Sequence, residues 1–234
     1  MTPSRDSTRR RALVLRHHLE DDAGLVGRAL AERGFDIETV LVDAAHPAPD
    51  ELVADLLVVL GSSASAHDPS VREAWLDREM DVLTRTADRG TPIFGICFGA
   101  QVLCTMFGGV VEPAPVPEVG WFAVDVASSA SLGTGPWFEY HYDRCVLPER
   151  AVTWATTRDA VQAFTIGRHV GVQFHPEIDG EQLARWFDGQ HGASRAYSDD
   201  ERALLEETRA QTPAATQRTA ELVDVVLAHA FAAV

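Results

Sequence analysis

The stretch "PIFGICFGAQVLCTMFGG", Pro92 to Gly109, sets one cysteine between two glycines at the point where the apolar period changes. "TPIFGI" is a short apolar run suited to a buried parallel strand, and "FGAQVLCTMFGG" has helical spacing. A strand that turns at once into a helix, with Cys97 at the apex, is the geometry of a nucleophile elbow. Gly95 and Gly99 permit close strand–helix packing, and a strained φ at Cys97 lifts its side chain off the sheet. The helix dipole and the free amides of its first turn favour a thiolate at that place. The backbone N–H of Phe98 points to where an oxyanion would form.

Outward from the elbow, strands alternate with helices. "ALVLRH" from Ala12, "FDIETVLV" from Phe35 and "ADLLVVLG" (Ala54 to Gly61) precede "TPIFGI" as strands. "AGLVGRALAERG" lies between the first two as a helix with Gly34 as its C-cap. "VREAWLDREMDVLTRTADRG" is a helix that Pro69 and Ser70 open and Gly90 closes. This order predicts an α/β fold: a three-layer sandwich with a mostly parallel sheet covered on both faces. From Val110 to "HVGVQFH" the chain is rich in β-branched and aromatic residues, a strand-rich middle section. A helix returns at "DGEQLARWFDGQ". Two more are expected at the end, one opened by a capping box at Ser198–Glu201 and one starting near Thr212-Pro213. Residues 1–11 read as an N-terminal arm, 12–190 as the main domain and 191–234 as a helical extension packed on it.

With 234 residues, 46% of them hydrophobic, the chain suffices for one core and is short for two. A formal net charge of −15 disfavours nucleic acid and anionic lipid as partners. No apolar run approaches a membrane span, and the N-terminus lacks the pattern of a secretory signal. Three cysteines, Cys97, Cys104 and Cys145, are too few and too odd for a disulfide framework, which points to a reducing, cytoplasmic setting. No Cys/His/carboxylate set has metal-ligand spacing and no glycine-rich phosphate loop follows the first strand, so no metal and no cofactor are expected. His17 and His18 end the first strand at the sheet's carboxyl edge and read as a polar strand end.

The second decisive stretch is "GVQFHPE", Gly171 to Glu177. A residue before proline is held extended, and extended chain has period two, so His175 and Glu177 project to one side. Glu177 can then orient one imidazole nitrogen and leave the other to serve Cys97 as base, a Cys-His-Glu form of the nucleophile–base–orienter series.

"GICFGAQ" followed by "GVQFHPE" resembles the class I (triad-type) glutamine amidotransferases, closest to free-standing relatives of the GMP synthase glutaminase domain. The resemblance runs from Ala12 to about Phe187. It implies a flavodoxin-like fold, Cys97 as nucleophile, His175 as general base and acid, and Glu177 as its partner. "LGSSAS" (Leu60 to Ser65) matches the family's Gly-Gly-Pro turn, which implies a second oxyanion donor from the backbone of Gly61 or Ser62. Gln101 matches a glutamine lining the substrate pocket. "EVGW" (Glu118 to Trp121) and "EYHYD" (Glu139 to Asp143) match segments bordering the substrate, which brings in Tyr140 and His141. Ala100, Ser62-Ser63 and Tyr142 depart from the family's histidine, Gly-Pro and glycine. The implied reaction is hydrolysis of glutamine's side-chain amide to glutamate and ammonia, with the ammonia passed to an acceptor on a separate synthase subunit. Two alternatives remain at this point: a γ-glutamyl amide or peptide hydrolase with the same triad, and a non-catalytic relative that binds a metabolite or partner.

Overall fold

The computed structural model describes residues 9–191 and 196–232. Its main sheet has eight strands in the order β2-β1-β3-β4-β10-β9-β8-β6. Strands β1 (Arg10–Arg16), β2 (Phe35–Leu41), β3 (Leu56–Val59), β4 (Ile93–Ile96) and β10 (His169–Val172) pair in parallel. Strands β9 (Val161–Ile166), β8 (Val152–Thr156) and β6 (Asp125–Val126) continue the sheet antiparallel. The fold is the mostly parallel, doubly covered α/β arrangement that the alternation of patterns predicts.

Period two in β1 divides the core. Ala12 and Val14 enter one apolar cluster, with Val26 and Leu30 of α1 (Gly24–Glu32) and Leu222, Val223 and Val226 of α6 (Asp199–Ala230). Leu13 and Leu15 enter the cluster on the other face, with Val82 and Leu83 of α3 (Asp77–Asp88) and Val102 and Leu103 of α4 (Phe98–Met106). A single turn, α2 (Pro69–Val71), and a π-helical turn at Arg72–Leu76 lead into α3. The separate two-stranded sheet of β5 (Val110–Phe122) and β7 (Trp137–Val146) lies across the sheet's carboxyl end. Strand β5 carries Pro113, Pro115 and Pro117, and its pairing register shifts between Pro113 and Glu118, where proline cannot donate to a ladder. Helix α5 (Gly180–His191) follows β10.

Two boundaries differ from the sequence expectation. Strand β1 begins at Arg10, so Arg10 and Arg11 belong to the sheet and not to the arm, of which residues 1–8 lie outside the described residues. The end of the chain holds one helix instead of two: α6 runs through Pro213 without a break. A proline inside a helix costs about 3 kcal/mol. Burial of Leu205, Thr208, Ala215, Thr219 and Leu222 on both sides of it, against α1, α5 and β10, outweighs that local preference. The capping box forms as read: Ser198 Oγ accepts from the Glu201 amide, and the Glu201 side chain accepts from the Ser198 amide. Of the extension read as 191–234, residues 192–195, 233 and 234 lie outside the described residues.

Candidate active site

Three neighbouring parallel strands end at one line. Their registers align Val59 with Gly95 and Gly95 with Gly171. Two residues on, the same row brings Gly61, Cys97 and Gln173 side by side. Cys97 donates its amide to Val172 O at 2.8 Å, then breaks from the sheet at φ 51°, ψ −107°. It is the only non-glycine residue with positive φ among the described residues, a strained conformation of the kind that concentrates at functional sites. Ser62, where the family has glycine, therefore keeps an ordinary backbone.

The glycines act as expected. A Cβ on Gly95 would stand 2.5 Å from Gly99 O, and one on Gly99 would stand 2.0 Å from Val59 O, so α4 packs backbone-to-backbone on β3 and β4. A Cβ on Gly61 would meet His175 Cε1 at 2.9 Å and the Cys97 Cβ at 3.7 Å. Gly61 thus borders both reactive side chains with no room for more.

His175 and Glu177 fall on the same side of the extended segment after β10. His175 Nδ1 and Glu177 Oε1 are 2.7 Å apart, and the His175 amide donates to Phe138 O of β7 at 2.7 Å. The carbonyls flanking this pair are clamped. Pro176 O accepts from Thr219 Oγ1 of α6 at 2.7 Å, and Glu177 O accepts from the Leu25 amide at the start of α1 at 2.9 Å. The ring packs edge-on against Trp186 at 5.0 Å. Burial opposes charge on His175, yet the Glu177 carboxylate, the Cys97 sulfur and hydrogen bonds to both carry the imidazole well above its ordinary pKa. Sulfur, imidazole and carboxylate are linked in series.

Gln173 is a contact that the sequence reading missed. Its Nε2 donates to the Cys97 sulfur at 3.5 Å, and its Oε1 accepts from Gln101 Nε2 at 3.4 Å. The alternation that pairs His175 with Glu177 also puts Gln173 on their side, so the signal was present. The other missed members are His17, Glu79, Asp21 and Trp186, whose partners are distant in sequence.

These residues surround a cavity of about 720 Å³ lined among others by Gly61, Ser62, Cys97, Gln101, Tyr140 and Trp186. Glu20, Asp21 and Asp143 make its mouth acidic. Trp186 Nε1 donates to Asp21 at 2.8 Å, and burial pushes the Asp21 carboxyl up. Gln101 and Tyr140 reach the cavity, as does His141, but both nitrogens of His141 are engaged away from it. Its Nδ1 donates to Asp143 O at 2.9 Å, while Nε2 lies 3.1 Å from Glu118 and 3.3 Å from Glu139. Burial opposes charge on His141 too, but the two carboxylates push it up to about 10; burial lifts Glu139 to about 7. His141 thus presents only its ring edge to the cavity.

The family model for glutamine amidotransferase class-I matches residues 23–186. The GMP synthase [glutamine-hydrolyzing] of Rhizobium rhizogenes is 31% identical over 175 residues, covering 68% of this chain and 32% of that protein. The chain thus spans about a third of the length of the curated relatives it matches. Among solved structures, a glutamine amidotransferase of Thermotoga maritima superposes with a TM-score of 0.80 at 24% identity, covering 92% of this chain and 97% of its own. A glutamine amido transferase of Methylobacillus flagellatus gives 0.78 at 21% identity, covering 95% and 96%. Elbow, sheet order and family model agree, and the chain belongs to the class-I glutamine amidotransferases.

Proposed function

We propose that the chain hydrolyses the side-chain amide of glutamine through a γ-glutamyl thioester on Cys97 and delivers the ammonia to a separate synthase subunit. The reading is carried by one observation: Cys97, strained at the apex of its elbow, shares its surroundings with the His175–Glu177 pair and with the bare Cα of Gly61. The Cys97 sulfur attacks the amide carbon, and the charge on oxygen is met by amides at Phe98 and at the Gly61–Ser62 turn. Loss of one such donor typically costs about 3–4 kcal/mol of barrier. The C–N bond breaks as His175 gives its proton to the leaving nitrogen. Water then adds to the thioester, returns a proton to His175, and the C–S bond breaks to release glutamate. Glutamine and water thus yield glutamate and ammonia. Tyr140 and Gln101 border the bound substrate, and the acidic mouth suits its α-ammonium group.

The separate acceptor rests on the relatives: they are named as GMP synthases, and this chain matches a third of their length. A second reading is favoured by the cavity, which at about 720 Å³ is of a size that holds ligands larger than glutamine. A substituted γ-glutamyl amide would pass through the same thioester. Incubation with a glutamine-like chloroketone, followed by intact mass, tests the shared step: one adduct in the wild type and none in Cys97→Ala. Clear preference for a substituted amide over free glutamine in ammonia or amine release would move the function to the second reading.

A further inference from the structure

The row of strand ends extends one strand further than the candidate triad needs. Leu15 of β1 is in register with Val59 of β3. Two residues on, His17 therefore stands beside Gly61, as Gly61 stands beside Cys97. His17 is 3% exposed and its partner Glu79, on α3, is 0% exposed. The ring's Nδ1 lies 2.9 Å from Gly61 O, and its Nε2 lies 3.2 and 3.3 Å from the two Glu79 oxygens. A carbonyl only accepts, and so does an ionised carboxylate, so both ring nitrogens are set to donate. Burial works against that charge, but Glu79 and the Gly61 carbonyl raise the His17 pKa in spite of it.

A buried ion pair is a poor source of stability, since apolar residues of similar volume often do as well. What this pair holds is more informative. In a trans peptide the C=O and the following N–H point to opposite sides. Fixing Gly61 O toward His17, beneath the cavity, turns the Ser62 N–H the other way, toward the side where Cys97 lies. The same imidazole meets the Phe98 ring at 5.0 Å and the Trp75 ring at 5.3 Å. Phe98 carries the other amide facing the sulfur. Trp75 belongs to the π-helical turn that precedes Glu79, and such turns recur at functional sites. One side chain thus touches both segments that flank the thiol.

We propose that His17 and Glu79 are positioning residues that lock the Gly61–Ser62 peptide with its N–H directed at the oxygen of a tetrahedral adduct on Cys97. This rests on the reading that Cys97 is acylated, but not on which amide is the natural substrate. The test therefore uses two reagents at one sulfur. Acylation by p-nitrophenyl acetate passes through an oxyanion and is read as a burst of p-nitrophenolate. Alkylation by iodoacetamide is a displacement at carbon with no oxyanion. Cys97→Ala defines the background of both.

In His17→Ala the burst rate should fall about 100-fold, the usual effect of losing an oxyanion donor, while alkylation stays within about threefold. His17→Asn keeps an N–H near the Nδ1 position and should recover about tenfold of that loss. Glu79→Gln, nearly isosteric, should slow the burst about tenfold with alkylation unchanged. If His17→Ala does not fold by circular dichroism, the other two variants carry the test. A parallel fall of both rates, no recovery in His17→Asn, or bursts near wild type in all variants overturns the proposal, as does a wild type that gives no burst. A wild type that bursts but does not hydrolyse glutamine overturns the glutaminase reading and leaves this one standing.

Discussion

Gly61→Ala separates catalysis from folding at a single atom. The new Cβ would lie 2.9 Å from His175 Cε1. Carbon atoms in contact settle at about 3.5–4.0 Å, so the imidazole or the β3 turn must yield by about 0.6 Å or more. The imidazole has little freedom, because Glu177 holds its Nδ1 and Phe138 O holds its backbone. A displacement approaching 1 Å at a reacting group costs up to about 100-fold in rate. We expect kcat for ammonia release from glutamine to fall about 10- to 100-fold, with KM within about threefold, since the site of strain is the base and not the substrate pocket. Overpacking at the edge of a cleft should cost about 1 kcal/mol of stability, or 2–4 °C in Tm for a chain of this size. The contrast is Gly99→Ala, whose Cβ would stand 2.0 Å from a β3 carbonyl that cannot move aside. That variant should lose its fold. Coupled glutamate dehydrogenase assays and thermal melts measure both. A Gly61→Ala enzyme with wild-type kcat, or one that melts as early as Gly99→Ala, would refute the reasoning.

Glu177→Gln should lower kcat about 100-fold or more, because the imidazole loses its orienting charge. It should also move the alkaline limb of the kcat/KM profile to lower pH, because the imidazolium is less well held; an unmoved limb would show that Glu177 is not the source of the raised His175 value. Glu139 and His141 both have raised pKa values, about 7 and about 10 against 4.5 and 6.5, so the folded cluster holds protons that the unfolded chain releases. Stability must then fall as pH rises, through about 7 for Glu139 and on toward 10 for His141. Glu139→Gln should abolish the part of that decline below neutrality, a difference on the order of 1–3 kcal/mol between pH 5 and 8 in chemical denaturation; parallel curves for variant and wild type would contradict it. Pro213→Ala restores a helix amide and should stabilise by about 1–3 kcal/mol, seen as a higher Tm with unchanged activity.

The elbow was legible because it is local. A glycine two residues to either side of Cys97, an apolar strand before it and helical spacing after it determine the turn without help from the rest of the chain. The His-Pro-Glu end was legible for the same reason, since proline fixes the extended conformation that sets His175 and Glu177 to one side. Gln173 was readable by that rule and was overlooked. Glu79 was not readable: on α3 it is one acidic residue among several, and only the packing of that helix on β1 and β3 selects it for burial. Nor was the π-helical turn, which has no local signature in Arg72–Leu76. At Pro213 a sound local rule gave the wrong answer, because apolar contacts on both sides of the proline outweigh one missing amide. His141 was placed correctly at the cavity, but its commitment to Glu118 and Glu139 depends on the pairing of β5 with β7 and could not be seen from its neighbours in sequence.

The last helix reaches across the molecule to the loop that carries the carboxylate. Thr219 Oγ1 on α6 is bonded to Pro176 O, one residue before Glu177, whose own carbonyl is pinned by α1. Anything that pulls α6 away from α1 slackens one of the two tethers on that loop while leaving the cysteine's own strand and helix untouched. Such a change would detune the histidine from a distance of several side chains, so a tail far from the thiol in sequence acts as a tension member for turnover.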